Sequence, residues 1–174
     1  GPVAGAVVFM KGATTTVRFV MKDTGNVYEA RSDTLQISRL TNTTIPKINR
    51  VIWLPSGEGF LAQKADENSV VQTSYVRLRP TVATSANELA LPFEPVISNL
   101  PTGIVEIASS PDSKKIFYYT ASDSMKGYAS LPDGTKSEIV FTSPLSEWTP
   151  NWFSGGKILL VTKPSSASVS YGYI

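Results

Sequence analysis

An all-β fold is what this sequence predicts, and three observations predict it. Short runs rich in Val, Ile, Thr, Tyr and Phe recur along the 174 residues, separated by Gly, Pro, Asp, Asn and Ser. Helical spacing of apolar residues is missing; the nearest candidate, Ser85-Ala86-Asn87-Glu88-Leu89-Ala90, lies between Pro80 and Pro92 and has room for one turn at most. Finally, one kinked pattern, an apolar strand broken by a turn and resumed at once, occurs three times.

The second and third strands are fixed by a hairpin. In "TTVRFVMKDTGNVYEA", Val17, Phe19 and Met21 alternate with Arg18, Val20 and Lys22. Gly25 supplies the positive φ of a tight turn, and Asp23 is expected to bond back to the turn backbone. Strands are predicted at 6–9, 16–21, 27–30 and 36–40. The kinked pattern follows as "IWLPSGEGFLAQ", placing strands at 48–53 and 60–64, with 70–77 and 96–98 completing the set. It recurs as "IASSPDSKKIFYY", giving 104–108 and 116–120. The tripeptide Pro132-Asp133-Gly134 then turns 127–130 into 137–141. The last copy, "NWFSGGKILLV", gives 148–152 and 158–162, followed by 169–173.

Ser56, Asp112 and Ser154 are placed at equivalent turn positions, with Gly57 and Gly155 beside them. Intervals of 56 and 42 residues separate them, and the excess in the first fits the loop-like stretch 79–95. A repeat of about 40 residues with four strands is the mark of a propeller blade. Such a sheet buries its apolar faces only by stacking on neighbours. The chain therefore divides into about four blades, near 5–43, 44–99, 100–143 and 144–174, the last lacking a fourth strand. Two architectures are open: part of a larger ring, completed by a second copy, or a small ring closed by its own four blades. The incomplete last blade favours the first, and with it a homo-oligomer.

"SPDSKKIFYY" resembles the turn signature of WD40-like propellers of the TolB type. The stretches 15–59 and 141–174 resemble predicted surface propellers of uncultured bacteria with small genomes. That resemblance implies a propeller, a bacterial cell-surface setting and no known catalytic set. Ser113 stands where the family pattern has Gly, and the turns at Ser56 and Ser154 lack its Asp.

The chain has neither Cys nor His. This excludes disulfides, thiolate metal sites, a Cys nucleophile and a Ser-His-Asp triad. A net charge of +2 gives no reason to expect nucleic acid, and no apolar run approaches the ~20 residues that span a bilayer. Gly1-Pro2 reads as the remnant of a cleaved tag, which leaves open a native anchor or neighbouring domains. No cofactor or metal is expected. Carboxylates and the cations Arg31, Arg39, Lys47, Arg50, Arg77 and Arg79 are scattered, as on solvated faces. Ser56, Gly57, Asp112, Ser154, Gly155, Asp23 and Gly25 are expected to shape turns. Trp53, Trp148 and Trp152 are expected mainly between blades, with Trp148 the best candidate for exposure. Trp148, Tyr119, Tyr128 and Tyr171 form the candidate binding surface, each pairing an apolar ring with a polar tip. The leading expectation is a non-catalytic scaffold for a protein or cell-surface partner or for a second copy. The alternative is a carbohydrate-active or glycan-binding propeller using carboxylates and Trp platforms.

Overall fold

The computed structural model describes residues 1–42, 44–82, 91–120, 125–145, 147–162 and 172–174. They form four antiparallel sheets, each a meander of strands consecutive in sequence. Blade one comprises β1 (Val3–Lys11), β2 (Thr14–Met21), β3 (Val27–Arg31) and β4 (Ile37–Arg39). Blade two comprises β5 (Arg50–Trp53), β6 (Gly59–Ala65), β7 (Val71–Pro80) and β8 (Phe93–Asn99). Blade three comprises β9 (Ile104–Ser109), β10 (Ile116–Thr120), β11 (Met125–Ser130) and β12 (Glu138–Ser143). Blade four has β13 (Trp148–Trp152), β14 (Ile158–Thr162) and β15 (Gly172–Tyr173). The predicted single turn at 85–90 lies outside the described residues.

The first strands sit innermost. β1 packs on β5, and β9 on β13. Trp53 Nε1 donates to the Gly5 carbonyl at 3.2 Å, and Arg50 of β5 pairs with Glu106 of β9 at 3.0 Å. Fourth strands lie outermost: all three residues of β4 are exposed, as are Glu138, Ile139 and Val140 of β12.

Apolar layers fill the spaces between blades. Val20, Val27, Trp53, Phe60 and Val76 join blades one and two. Leu54, Leu61, Leu100, Ile104 and Ile116 join two and three. Phe117, Tyr119, Trp148 and Leu160 join three and four. The two-residue period of a strand makes this possible, because each inner blade has two apolar faces. In β10, Ile116 and Tyr118 face blade two while Phe117 and Tyr119 face blade four. All four are essentially inaccessible to solvent.

The end blades differ. In β2, Thr16, Arg18 and Val20 are buried toward blade two, whereas Val17, Phe19 and Met21 alternate with them and point away. Ala6, Val8 and Met10 of β1 and Ile37 of β4 extend this outer face; Val8 is 65% exposed and Ile37 67%. On blade four the residues alternating with buried Trp148, Pro150 and Leu160 are Thr149, Asn151, Leu159 and Val161.

Two turns differ from expectation. Leu54 N bonds Gly59 O and Gly57 N bonds Leu54 O; Ser110 and Lys115, then Ser113 and Ser110, repeat the pattern. In blade four the loop is one residue shorter, with Phe153 N bonding Lys157 O. Counted from Leu54, Ser110 and Phe153, Gly155, at φ +81°, stands opposite Ser56 and Asp112; counted back from Gly59, Lys115 and Lys157, Ser154 does. In the β2–β3 hairpin, Gly25 has φ +72° and its N–H bonds Met21 O at 2.8 Å. The side chain that bonds the turn backbone is Thr24, accepting from Asn26 N at 3.2 Å; among the described residues Asp23 makes no such bond. Blade one lacks the kinked turn, because β1 and β2 meet through Gly12-Ala13 alone.

Candidate functional site

The loops joining first to second strands lie at one end of the blades, so they line one face of the fan. Blades two and three are bridged there by Ser113 Oγ, which accepts from Ser56 N at 2.8 Å. Ser113 holds a positive φ of 63°, a conformation unfavourable for a residue with a Cβ. Asp112 is engaged within its own turn: Ser110 Oγ donates to it at 2.7 Å and Lys114 N at 3.1 Å. The Ser110 bond, with the Lys114 backbone bond second, holds the Asp112 carboxyl below its ordinary range. Asp133 is lowered likewise, first by the Thr135 hydroxyl at 2.6 Å and then by the Thr135 N–H. These carboxylates are turn locks.

Grooves flank the bridged seam. One, of 480 Å³, lies between the blade-three and blade-four turns, with Lys114, Lys115, Trp152 and Phe153 on its walls. The other, of 580 Å³, opens between blades one and two. Arg18 lines it, although the residue is 4% exposed. Its Nε donates to Glu29 Oε2 at 2.9 Å and its Nη1 to Gly57 O at 2.8 Å. Its guanidinium carbon stands 5.2 Å from the Phe9 ring centroid and 4.9 Å from that of Phe93, within cation–π range of both. Gly57 is the residue this packing demands: its φ is +72°, and a Cβ there would strike the Phe9 ring.

Most of the predicted aromatic surface lies elsewhere. Trp148 is 5% exposed, packs edge-on to Phe141 at 5.5 Å and donates Nε1 to Leu145 O. Tyr119 is 2% exposed, and burial, then Glu106 and Glu147, raises its phenol pKa. Neither ring is available to a ligand; the gap between blades three and four consumes both. Tyr128 is half-buried and stacked on Tyr118 at 5.3 Å. Tyr171 lies outside the described residues. The sequence reading missed Arg18, treating it as the polar half of an alternating strand. The signal was present: counting outward from the Gly25 turn pairs Val20 with Val27 and Arg18 with Glu29, opposite charges directly across the sheet. Three of the six scattered cations pair with carboxylates, Arg31 with Asp33, Arg50 with Glu106 and Arg79 with Glu94.

Among the described residues no group of three or more His, Cys, Asp or Glu gathers to hold a metal, and no helix is long and apolar enough to cross a membrane.

Meandering four-stranded sheets, radial apolar layers and innermost first strands define an all-β segment of a β-propeller. Two solved structures carry the same fold, and a third is similar at a lower score. The β-propeller domain of the Trilobed protease from Pyrococcus furiosus, described as having an open velcro topology, aligns with 92% of this chain and 48% of its own, at TM-score 0.53 and 11% identity. Pyrococcus horikoshii acylaminoacyl peptidase aligns with 94% of this chain and 28% of its own, at TM-score 0.52 and 9% identity. The Myceliophteria thermophila Cps50 (Swd1) β-propeller domain covers 98% and 53%, at TM-score 0.47 and 11% identity. The chain thus spans about half, or less, of each of these structures. No protein-family model matches the chain, nor does any curated protein.

Proposed function

We propose that the chain is a non-catalytic propeller scaffold that completes its ring with a second copy. The observation that carries this is the outer face of blade one. Val8, Met10, Val17, Phe19 and Ile37 repeat the apolar alternation that every inner blade buries, and the contacts given for them, Tyr28 stacked on Phe19 and Thr15 beside Met10, come from blade one itself. An apolar sheet face of this kind favours association. Continuing the blade-on-blade packing seats blade one of one copy on blade four of the other. A two-fold axis does this twice and leaves no free face. The protease propeller supports the arithmetic, because this chain accounts for 48% of its length.

The finished ring presents its turn face to a protein or cell-surface partner. A glycan-binding or carbohydrate-active reading loses its platforms, because Trp53 and Trp148 are buried and only Trp152 is half-exposed. Sedimentation equilibrium tests the proposal. The expected mass is twice the 18.8 kDa of one chain, and Val8→Glu returns it to that of one chain with unchanged far-ultraviolet circular dichroism. A wild-type monomer at high concentration would overturn it.

A further inference from the structure

The groove between blades one and two has a construction that blade packing alone does not call for. Its floor is a guanidinium largely withdrawn from water, within cation–π distance of two aromatic rings and fixed by two hydrogen bonds. An Arg side chain has five N–H donors. Nε and Nη1 of Arg18 are used, and Nη2 has no acceptor among the described residues. Exposed Lys11 and Arg77 stand on the rim, with Glu58 as the opposing charge. Arg79 is already paired with Glu94 at 2.6 Å. The walls are apolar, from Phe9, Phe93 and Pro80.

We infer that this groove binds an acidic peptide segment, one carboxylate seated on Arg18 and the neighbouring apolar side chain against the Phe9–Phe93 walls. Nη2, the donor group that Glu29 and Gly57 leave over, offers a charge-assisted hydrogen bond to a carboxylate, and its geometry is set before the ligand arrives. Lys11 and Arg77 add long-range attraction. Apolar walls and few cations favour a peptide over a nucleic-acid backbone, which needs a row of phosphate contacts.

Arg18 also supports the fold, so the test uses the rim. Fluorescence anisotropy measures binding of a fluorescein-labelled peptide of alternating glutamate and leucine to the full chain. The comparison probes are the glutamine–leucine peptide and an oligothymidylate of equal charge. The glutamate peptide is expected to bind and the glutamine peptide to fail. Lys11→Glu and Arg77→Glu should each weaken binding roughly ten-fold. Lys64→Glu, the same charge change toward the opposite end of β6, should leave it unchanged. Absence of glutamate-peptide binding, equal binding of the glutamine peptide or of oligothymidylate, or an equal loss with Lys64→Glu would each overturn the site. Sedimentation of the same variants reads ring completion separately, so either idea can fail without the other.

Discussion

At Arg18 the deciding quantity is desolvation. Its ion pair with Glu29 is buried, with side chains 5% and 10% exposed. Deleting one partner strands the other in a poorly hydrated site, which costs about 3–5 kcal/mol. The Arg79–Glu94 pair is shorter, 2.6 Å, yet both side chains are more than half exposed, and water screens it to about 0–1 kcal/mol. Urea unfolding should therefore show a large loss for Glu29→Ala and almost none for Glu94→Ala; equal losses would refute the ranking. Asp133 makes the pH prediction. Its folded pKa lies below the ordinary 3.8, so its two Thr135 bonds contribute stability above that value, and the contribution is lost as pH falls through the lowered one. Asp133→Asn should flatten the fall of stability below about pH 4. An unchanged slope would remove the lock from the account.

Hairpins and strands were legible because their signals are local. Alternation and a turn glycine placed β2 and β3, and the kinked pattern placed the starts of β5, β9 and β13 to within two residues. Turn register was less legible: the Ser154 loop is one residue shorter than its relatives, and composition alone does not reveal where a turn closes. Orientation was least legible. Trp148 opens its strand after a loop-rich stretch, yet its ring turns inward to fill the space beside Phe141, a consequence of which blade lies next door. Arg18 escaped notice for the same reason, since burial comes from blade two and not from its own hairpin. Ser113 tests the seam between blades. Its left-handed backbone costs roughly 1–2 kcal/mol, while the bond from Ser56 N returns about 0.5–1.5 kcal/mol. Ser113→Ala keeps the strain and loses the bond; Ser113→Gly loses the bond and relieves the strain. Thermal denaturation should show the alanine variant less stable by about 1 kcal/mol, and the reverse order would mean the backbone is not strained there.

For the whole molecule, four sheets share three apolar layers, which leaves two faces without a described neighbour. Those faces are unlike: blade one offers Val8, Val17, Phe19 and Ile37, and blade four offers Thr149, Asn151, Leu159 and Val161. A head-to-tail fit is therefore expected, blade one against blade four, and not a pairing of like with like. The chain contains no Cys, so introduced thiols react alone. The most direct measurement mixes Val8→Cys chains with Asn151→Cys chains, both positions exposed on innermost strands, and adds a short bis-maleimide. Covalent dimers should form in the mixture and not from either variant alone. Dimers from Val8→Cys by itself, or none in the mixture, would contradict a ring completed by two copies.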